Sequence, residues 1–149
     1  MSNATRARVA DIMTRGVLSL RDDQTLFEVR ELMGEHQIRN VPILDDSGRP
    51  IGLATQKNVL REVLTVTDQH GYAQLDHHLA QIPLSQVLEP DFNTVSSDTP
   101  LVEAGRLLLN YRQVSLPVVD DGTLVGILSL VDYVRVFVDR LEAEELSLA

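Results

Sequence analysis

Two short stretches carry the most suggestive chemistry in this chain. Ser129-Leu130-Val131-Asp132 and Thr55-Gln56-Lys57-Asn58 each set a hydroxyl residue three positions before a carboxylate or carboxamide, just after an apolar run. A carboxylate in the first turn of a helix can accept hydrogen bonds from both hydroxyls of a ribose, while the free N–H groups of the helix start face an anion. Ser129 can cap such a helix and reach the sugar. The same pattern also fits a plain helix start, with Ser129 a cap and Asp132 an acid set against the helix dipole. Asn58 can still bond a hydroxyl, but without the charge assistance that strengthens such a bond, so the Thr55/Asn58 site is expected to be weaker or differently selective. Lys57 lies inside its turn, and Arg61 and Arg135 stand one helical turn beyond Asn58 and Asp132 on the same face; they suit a phosphate or a solvated helix face equally.

The elements that position these residues occur twice. Asp23, Leu26, Glu28, Leu32 and Pro42 recur in order as Asp98, Leu101, Glu103, Leu107 and Pro117. After a turn one residue shorter in the second copy, Gly48, Gly52, Thr55, Asn58 and Arg61 recur as Gly122, Gly126, Ser129, Asp132 and Arg135. Such self-similarity marks a tandem repeat. Each copy reads β-α-β-β-α. A short apolar strand (Val17 to Leu20; Phe92 to Val95) leads to a helix start, with Thr25 and Glu28 as a capping box in one copy and Pro100 at the first helical position in the other. Leu26, Val29, Leu32 and Met33, matched by Leu101, Ala104, Leu107 and Leu108, keep helical spacing. Hairpins follow through Asp45-Asp46-Ser47-Gly48 and Asp120-Asp121-Gly122, then a closing helix.

The organisation expected is a first repeat over 9–64, a linker with its own structure over 65–83, a second repeat over 84–141 and an acidic tail over 142–149. Gln74 to Ile82 in the linker can form a short helix before Pro83. One three-stranded sheet with its helices cannot bury both faces alone, so the two units are expected to pack on each other.

Composition narrows the function. The chain has 149 residues, 13 Lys and Arg against 22 Asp and Glu, and a net charge of −9, which disfavours nucleic acid and anionic membranes as partners. At 44% hydrophobic and 23% charged it is an ordinary globular sequence. The absence of cysteine excludes disulfides and thiol chemistry and is compatible with a reducing cytoplasm. No apolar run approaches the ~20 residues of a membrane span, and the N-terminal stretch lacks the apolar segment of a secretion signal, so a cytosolic protein is expected. The acidity lies mostly in the second repeat and the tail, leaving Arg39, Lys57 and Arg61 in the less acidic half.

Gly52-Leu53-Ala54-Thr55-x-x-Asn58 and Gly126-Ile127-Leu128-Ser129-x-x-Asp132, each downstream of an Asn40-Val41-Pro42 or Ser115-Leu116-Pro117 step, resemble the cystathionine-beta-synthase (CBS) domain family. Asp11-Ile12-Met13-Thr14 is similar to that family's opening, and the resemblance covers about residues 9–141. It implies an α/β (α+β) fold of two CBS repeats with pseudo-two-fold symmetry. It further implies reversible binding of an adenosine-containing nucleotide (AMP, ADP or ATP) in the cleft between the repeats, with no tightly bound cofactor and no catalysis. A homodimer as a four-repeat disc and an unidentified regulated protein partner follow from the same resemblance. The site residues it implies are Ser129, Asp132, Thr55 and Asn58, with Asn40, Val41, Pro42, Ser115, Leu116 and Pro117 on the strand steps. Arg39 falls where the resemblance places phosphate contacts, and its counterpart is Val114. An apolar slot for adenine is expected from strand edges around Val17 to Leu20, Val41, Phe92 to Val95 and Leu116, most of which also suit a core.

Other adenosyl ligands, such as S-adenosylmethionine or NAD(H), fit the same resemblance. A structural or protein-interaction pair with vestigial pockets is the alternative that Asn58 and Val114 raise. His70, Asp76, His77 and His78 invite a hydrolytic metal site, but lack the i,i+4 histidine pair that converges on one ion. Phosphate-loop and Rossmann glycine patterns and the Gly-x-Ser-x-Gly elbow are absent, and the paired acids sit at turns or helix starts.

Overall fold

A computed structural model describes residues 7–148. In chain order the elements are α1 (Val9–Ile12), β1 (Leu20–Arg21), α2 (Leu26–His36), β2 (Asn40–Leu44), β3 (Pro50–Thr55), α3 (Gln56–His70), α4 (Leu75–Leu79), α5 (Leu101–Tyr111), β4 (Ser115–Asp120), β5 (Thr123–Ser129) and α6 (Leu130–Leu148). They form two compact units, one spanning Leu18–Phe92 and one joining residues 7–17 with residues 93–148. No helix among the described residues is long and apolar enough to cross a membrane.

In the Leu18–Phe92 unit the sheet order is β1-β2-β3. Strand β1 runs parallel to β2, and β2 pairs antiparallel with β3, Asn40 opposite Thr55 and Val41 opposite Ala54. Parallel neighbours need a crossover, which α2 supplies. Leu26, Val29 and Met33 of α2 turn into a core shared with Val41, Ile43, Ala54, Val59 and Leu79. The Thr25 hydroxyl accepts the Glu28 N–H at 3.4 Å. Glu28 accepts instead from the Gln24 amide, so the reciprocal half of the expected capping box is not made. Strand β1 is shorter than the expected Val17–Leu20 strand. The helix after Thr55 runs on through Thr65-Val66-Thr67 to His70, and Val66 and Leu79 carry the linker sequence into the core.

In the other unit β4 and β5 form a hairpin, Ser115 opposite Ser129 and Leu116 opposite Leu128. Asp121 and Gly122 hold φ of 51° and 80°, the left-handed pair that a two-residue hairpin turn requires. Where a strand is expected over Phe92 to Val95, only Val95 bridges to Val118. The reason lies in Gln113, whose side-chain amide accepts the Asn93 N–H at 3.0 Å and donates to the Asn93 carbonyl at 3.0 Å, replacing ladder bonds. Pro100 stands at the N-cap of α5, one position earlier than expected. The segment read as an acidic tail continues α6 to Leu148, in keeping with the helix propensity of its Glu, Ala and Leu residues.

The segments that head each repeat cross the repeat boundaries. Val9 donates to the Thr99 carbonyl at 2.9 Å and Ala10 to Ser97 at 2.8 Å, so α1 packs with the second repeat's hairpin and helix. In the same way Leu84 donates to the Gln24 carbonyl at 2.8 Å, and Glu89 donates to Leu53 at 2.7 Å on β3. Each leader satisfies backbone groups of a hairpin edge that would otherwise be left unpaired.

Candidate functional site

At the end of β5 the chain turns directly into α6, and the Asp132 side chain folds back over that junction. Its Oδ2 accepts the Ser129 N–H at 2.9 Å and the Ser129 hydroxyl at 3.2 Å. The expected cap thus runs in the opposite sense: Ser129 donates, and the first-turn carboxylate is the acceptor. Arg135 lies 3.5 Å from Asp132 Oδ1, so this guanidinium serves the carboxylate instead of standing free on the helix face. Asp132 is only 4% exposed, as is Ser115, the residue opposite Ser129 on β4. A buried carboxylate is costly unless paired, and here one hydroxyl, one amide and one guanidinium share the task. Next along α6, burial above all, with the Asp132 charge beside it, pushes the Tyr133 hydroxyl up to about 12; it donates to the Leu101 carbonyl at 2.6 Å.

The first-repeat counterpart is built differently. Thr55 caps α3, its Oγ1 accepting the Asn58 N–H at 3.1 Å. The Asn58 side chain makes no hydrogen bond among the described residues, and α3 has no acid in its first turn. Arg39 is held at this helix start by its backbone, because Gln56 donates to the Arg39 carbonyl at 2.8 Å. Leu130 donates to the Val114 carbonyl at 3.0 Å in the matching way. Arg39, Lys57 and Arg61 are exposed cations around the start of α3, whereas Val114 and Val131 surround the start of α6 with apolar side chains.

The strand-step residues divide by burial. Val41, Pro42, Leu116 and Pro117 are fully buried, backbone included, and Val41 and Leu116 belong to the two cores. Asn40 is half-buried opposite Thr55. One residue that sequence reasoning missed is Gln113, which donates to the Ser115 carbonyl at 2.8 Å as well as bonding Asn93. Its counterpart in the first copy is the apolar Ile38, so the repeat comparison flags the position only as a departure.

The linker histidines come together without converging. His70 and His78 stack with ring centroids 4.1 Å apart and planes 13° from parallel, and His77 meets His78 edge-on at 5.8 Å. No group of three or more His, Asp or Glu among the described residues is arranged to hold a metal ion.

A hairpin-and-helix unit thus occurs twice, with hydroxyl and amide or acid groups at the start of each closing helix. The family model of the CBS domain matches residues 9–65 and 84–139, and this chain belongs to the CBS domain family, as a CBS pair with mixed helices and strands. It is similar to AcuB of Vibrio cholerae, at 28% identity and a TM-score of 0.77, over 94% of this chain and 96% of that one. It is also similar to CBSX2 as solved in complex with AMP, at 26% identity and a TM-score of 0.71, over 89% and 96% of the two chains. The A-adding tRNA nucleotidyltransferase of Aquifex aeolicus is 27% identical over 137 residues, which are 92% of this chain and 15% of that protein. The chain therefore spans a small part of that curated relative.

Proposed function

We propose that this CBS pair is a regulatory module, without catalysis of its own, that reversibly binds an adenosine-containing nucleotide, with the ribose taken by Asp132 and Ser129. The observation that carries this reading is the buried Asp132 carboxylate at the start of α6, held by hydrogen bonds from the Ser129 N–H and hydroxyl. Ribose hydroxyls can replace or share those donors with charge-assisted bonds. The AMP held by the similar CBSX2 supports the ligand class. Thr55 and Asn58 form the second, weaker position in this reading, with Arg39, Lys57 and Arg61 available to phosphate. Backbone groups along Asn40-Val41-Pro42 and Ser115-Leu116-Pro117 are assigned to the base.

Burial also gives the proposal its regulatory content. Asp132 and Ser115 are each 4% exposed, so a ligand reaches them only when the groups covering them move. The ligand then favours the conformation in which the contacts are made, a population shift that a protein partner can read. A homodimer fits the same picture, because Val134 at 60%, Phe137 at 61% and Leu141 at 42% exposure leave an apolar stripe along α6. A cytoplasmic setting accords with the cysteine-free composition.

Thermal-shift screening against AMP, ADP, ATP, S-adenosylmethionine and NADH tests the proposal, since a ligand bound only by the native state raises the melting temperature. A rise with at least one adenine nucleotide is expected. No rise with any of them favours the second reading, an interaction module with vestigial pockets, for which Asn58 and Val114 are the sequence grounds.

A further inference from the structure

Helix α6 rests on its unit through very few side chains. Among the described residues, Asp132 is the only buried one of the helix, and Tyr133 is its one apolar or aromatic side chain packed against the core that holds Leu101, Ala104 and Leu108. We infer that Tyr133 is a positioning residue for the ligand of the Asp132 site: its hydroxyl bond to the Leu101 carbonyl fixes the first turn of α6, and with it the Asp132 carboxylate, against the start of α5. The inference rests on the reading of Asp132 and Ser129 given above.

The hydroxyl lies 2.6 Å from the Leu101 carbonyl oxygen, and α5 leaves room for the ring. A Cβ added to Gly105 would lie 3.2 Å from Tyr133 Cε1 and 3.4 Å from its hydroxyl oxygen, so a larger side chain there would press the ring outward. Leu101 is itself tied down, because its N–H donates at 2.9 Å to the carbonyl of Ala7, just ahead of α1. The Tyr133 hydroxyl thus reaches a fixed carbonyl, and a pivot of α6 about the end of β5 would break the bond. Burial, with the Asp132 charge beside it, raises the phenol to about 12, which keeps it a donor throughout the neutral range.

The repeat comparison ties this link to the acid. In the first copy Val59 stands where Tyr133 does, Arg30 where Gly105 does and Asn58 where Asp132 does. The copy with the carboxylate therefore also has the hydroxyl and the glycine that receives its ring, and the copy without the carboxylate has neither. The Ser129 N–H bonds Asp132 at the end of β5, which gives the carboxylate one fixed point. The Tyr133–Leu101 bond supplies a second, one residue further along α6. A group held in this way meets its ligand without first losing freedom, and such preorganisation strengthens binding.

The test is Tyr133→Phe, which keeps the ring against Gly105 and removes only the hydroxyl. In calorimetric titrations with AMP, ADP and ATP, the variant should bind about fivefold more weakly whichever of them the wild type binds, while its melting temperature falls by no more than about 4 °C. Val66→Ala, which loosens the core of the other unit, should also lower the melting temperature yet leave nucleotide affinity unchanged. In protein with isotope-labelled tyrosines, the Tyr133 ring resonance of the wild type should shift as the nucleotide saturates. Unchanged affinity in Tyr133→Phe, an equal loss of affinity in Val66→Ala, or a Tyr133 resonance that does not respond each overturns the inference. The Asp132 reading survives any of these results if Asp132→Ala still weakens binding. If the wild type binds none of the three nucleotides, the site reading itself fails and this inference with it.

Discussion

Thr14 and Ile127 exchange two backbone hydrogen bonds, each of 2.9 Å, so the leader of the first repeat is tied to the edge of β5. The adjacent Gly126 makes this approach possible. A Cβ added there would lie 2.7 Å from Met13 Sδ and 3.0 Å from the Thr14 carbonyl oxygen. Gly52 stands in the same relation to the other leader, 2.5 Å from Leu88 Cδ1 and 3.0 Å from the Glu89 carbonyl. Gly126→Ala and Gly52→Ala should each destabilise by about 1–3 kcal/mol, the usual cost of overpacking a tight contact. Urea denaturation checks this; unchanged midpoints would mean that the leaders dock loosely.

At the start of α3 the prediction is about capping. Thr55→Ala removes the acceptor of the Asn58 N–H, and α3 has no first-turn acid to compensate. A loss of about 1 kcal/mol is expected, with Thr55→Ser largely retaining stability. Ser129→Ala should cost less, because the Ser129 N–H still donates to Asp132. Denaturation midpoints at unchanged slope measure both; equal losses at the two positions would contradict the difference between the two starts.

These helix starts also mark how far the sequence could be read. The repeat, the helical spacing of Leu26, Val29 and Met33, and both hairpins were legible, because their signals are local periods and turn residues. Docking of the leaders was not: residues 9–14 head the first copy in sequence yet bond Ser97, Thr99 and Ile127 of the second, and no spacing rule encodes a partner that far along the chain. The strand expected over Phe92 to Val95 shrank to a bridge because the Gln113 amide satisfies the backbone of Asn93, a side-chain substitution that apolar patterning cannot reveal. At Ser129 the residue types were legible, but not which of the two side chains would accept.

The stacked histidines predict a pH dependence. Burial, together with the neighbouring rings of His70 and His77, lowers the His78 pKa from its ordinary 6.5. The unfolded chain therefore takes up this proton at a higher pH than the folded chain does. The contribution of His78 to stability is fully present above pH 6.5 and is lost as the pH falls from there toward the folded-state value. Melting temperatures between about pH 8 and about pH 5 should show this decline, and His78→Gln should flatten it. A profile that is the same in the variant would remove His78 as the cause.

The central claim, that the Asp132 carboxylate holds the ribose of an adenosine nucleotide, is tested most directly by calorimetric titration of AMP, ADP and ATP into the wild type and Asp132→Ala, with circular dichroism confirming that the variant is folded. The account predicts saturable binding of at least one nucleotide by the wild type and an affinity at least about tenfold weaker in the variant, from the loss of a charge-assisted hydrogen bond worth about 1.5–3 kcal/mol. Equal affinity in the two proteins would contradict it.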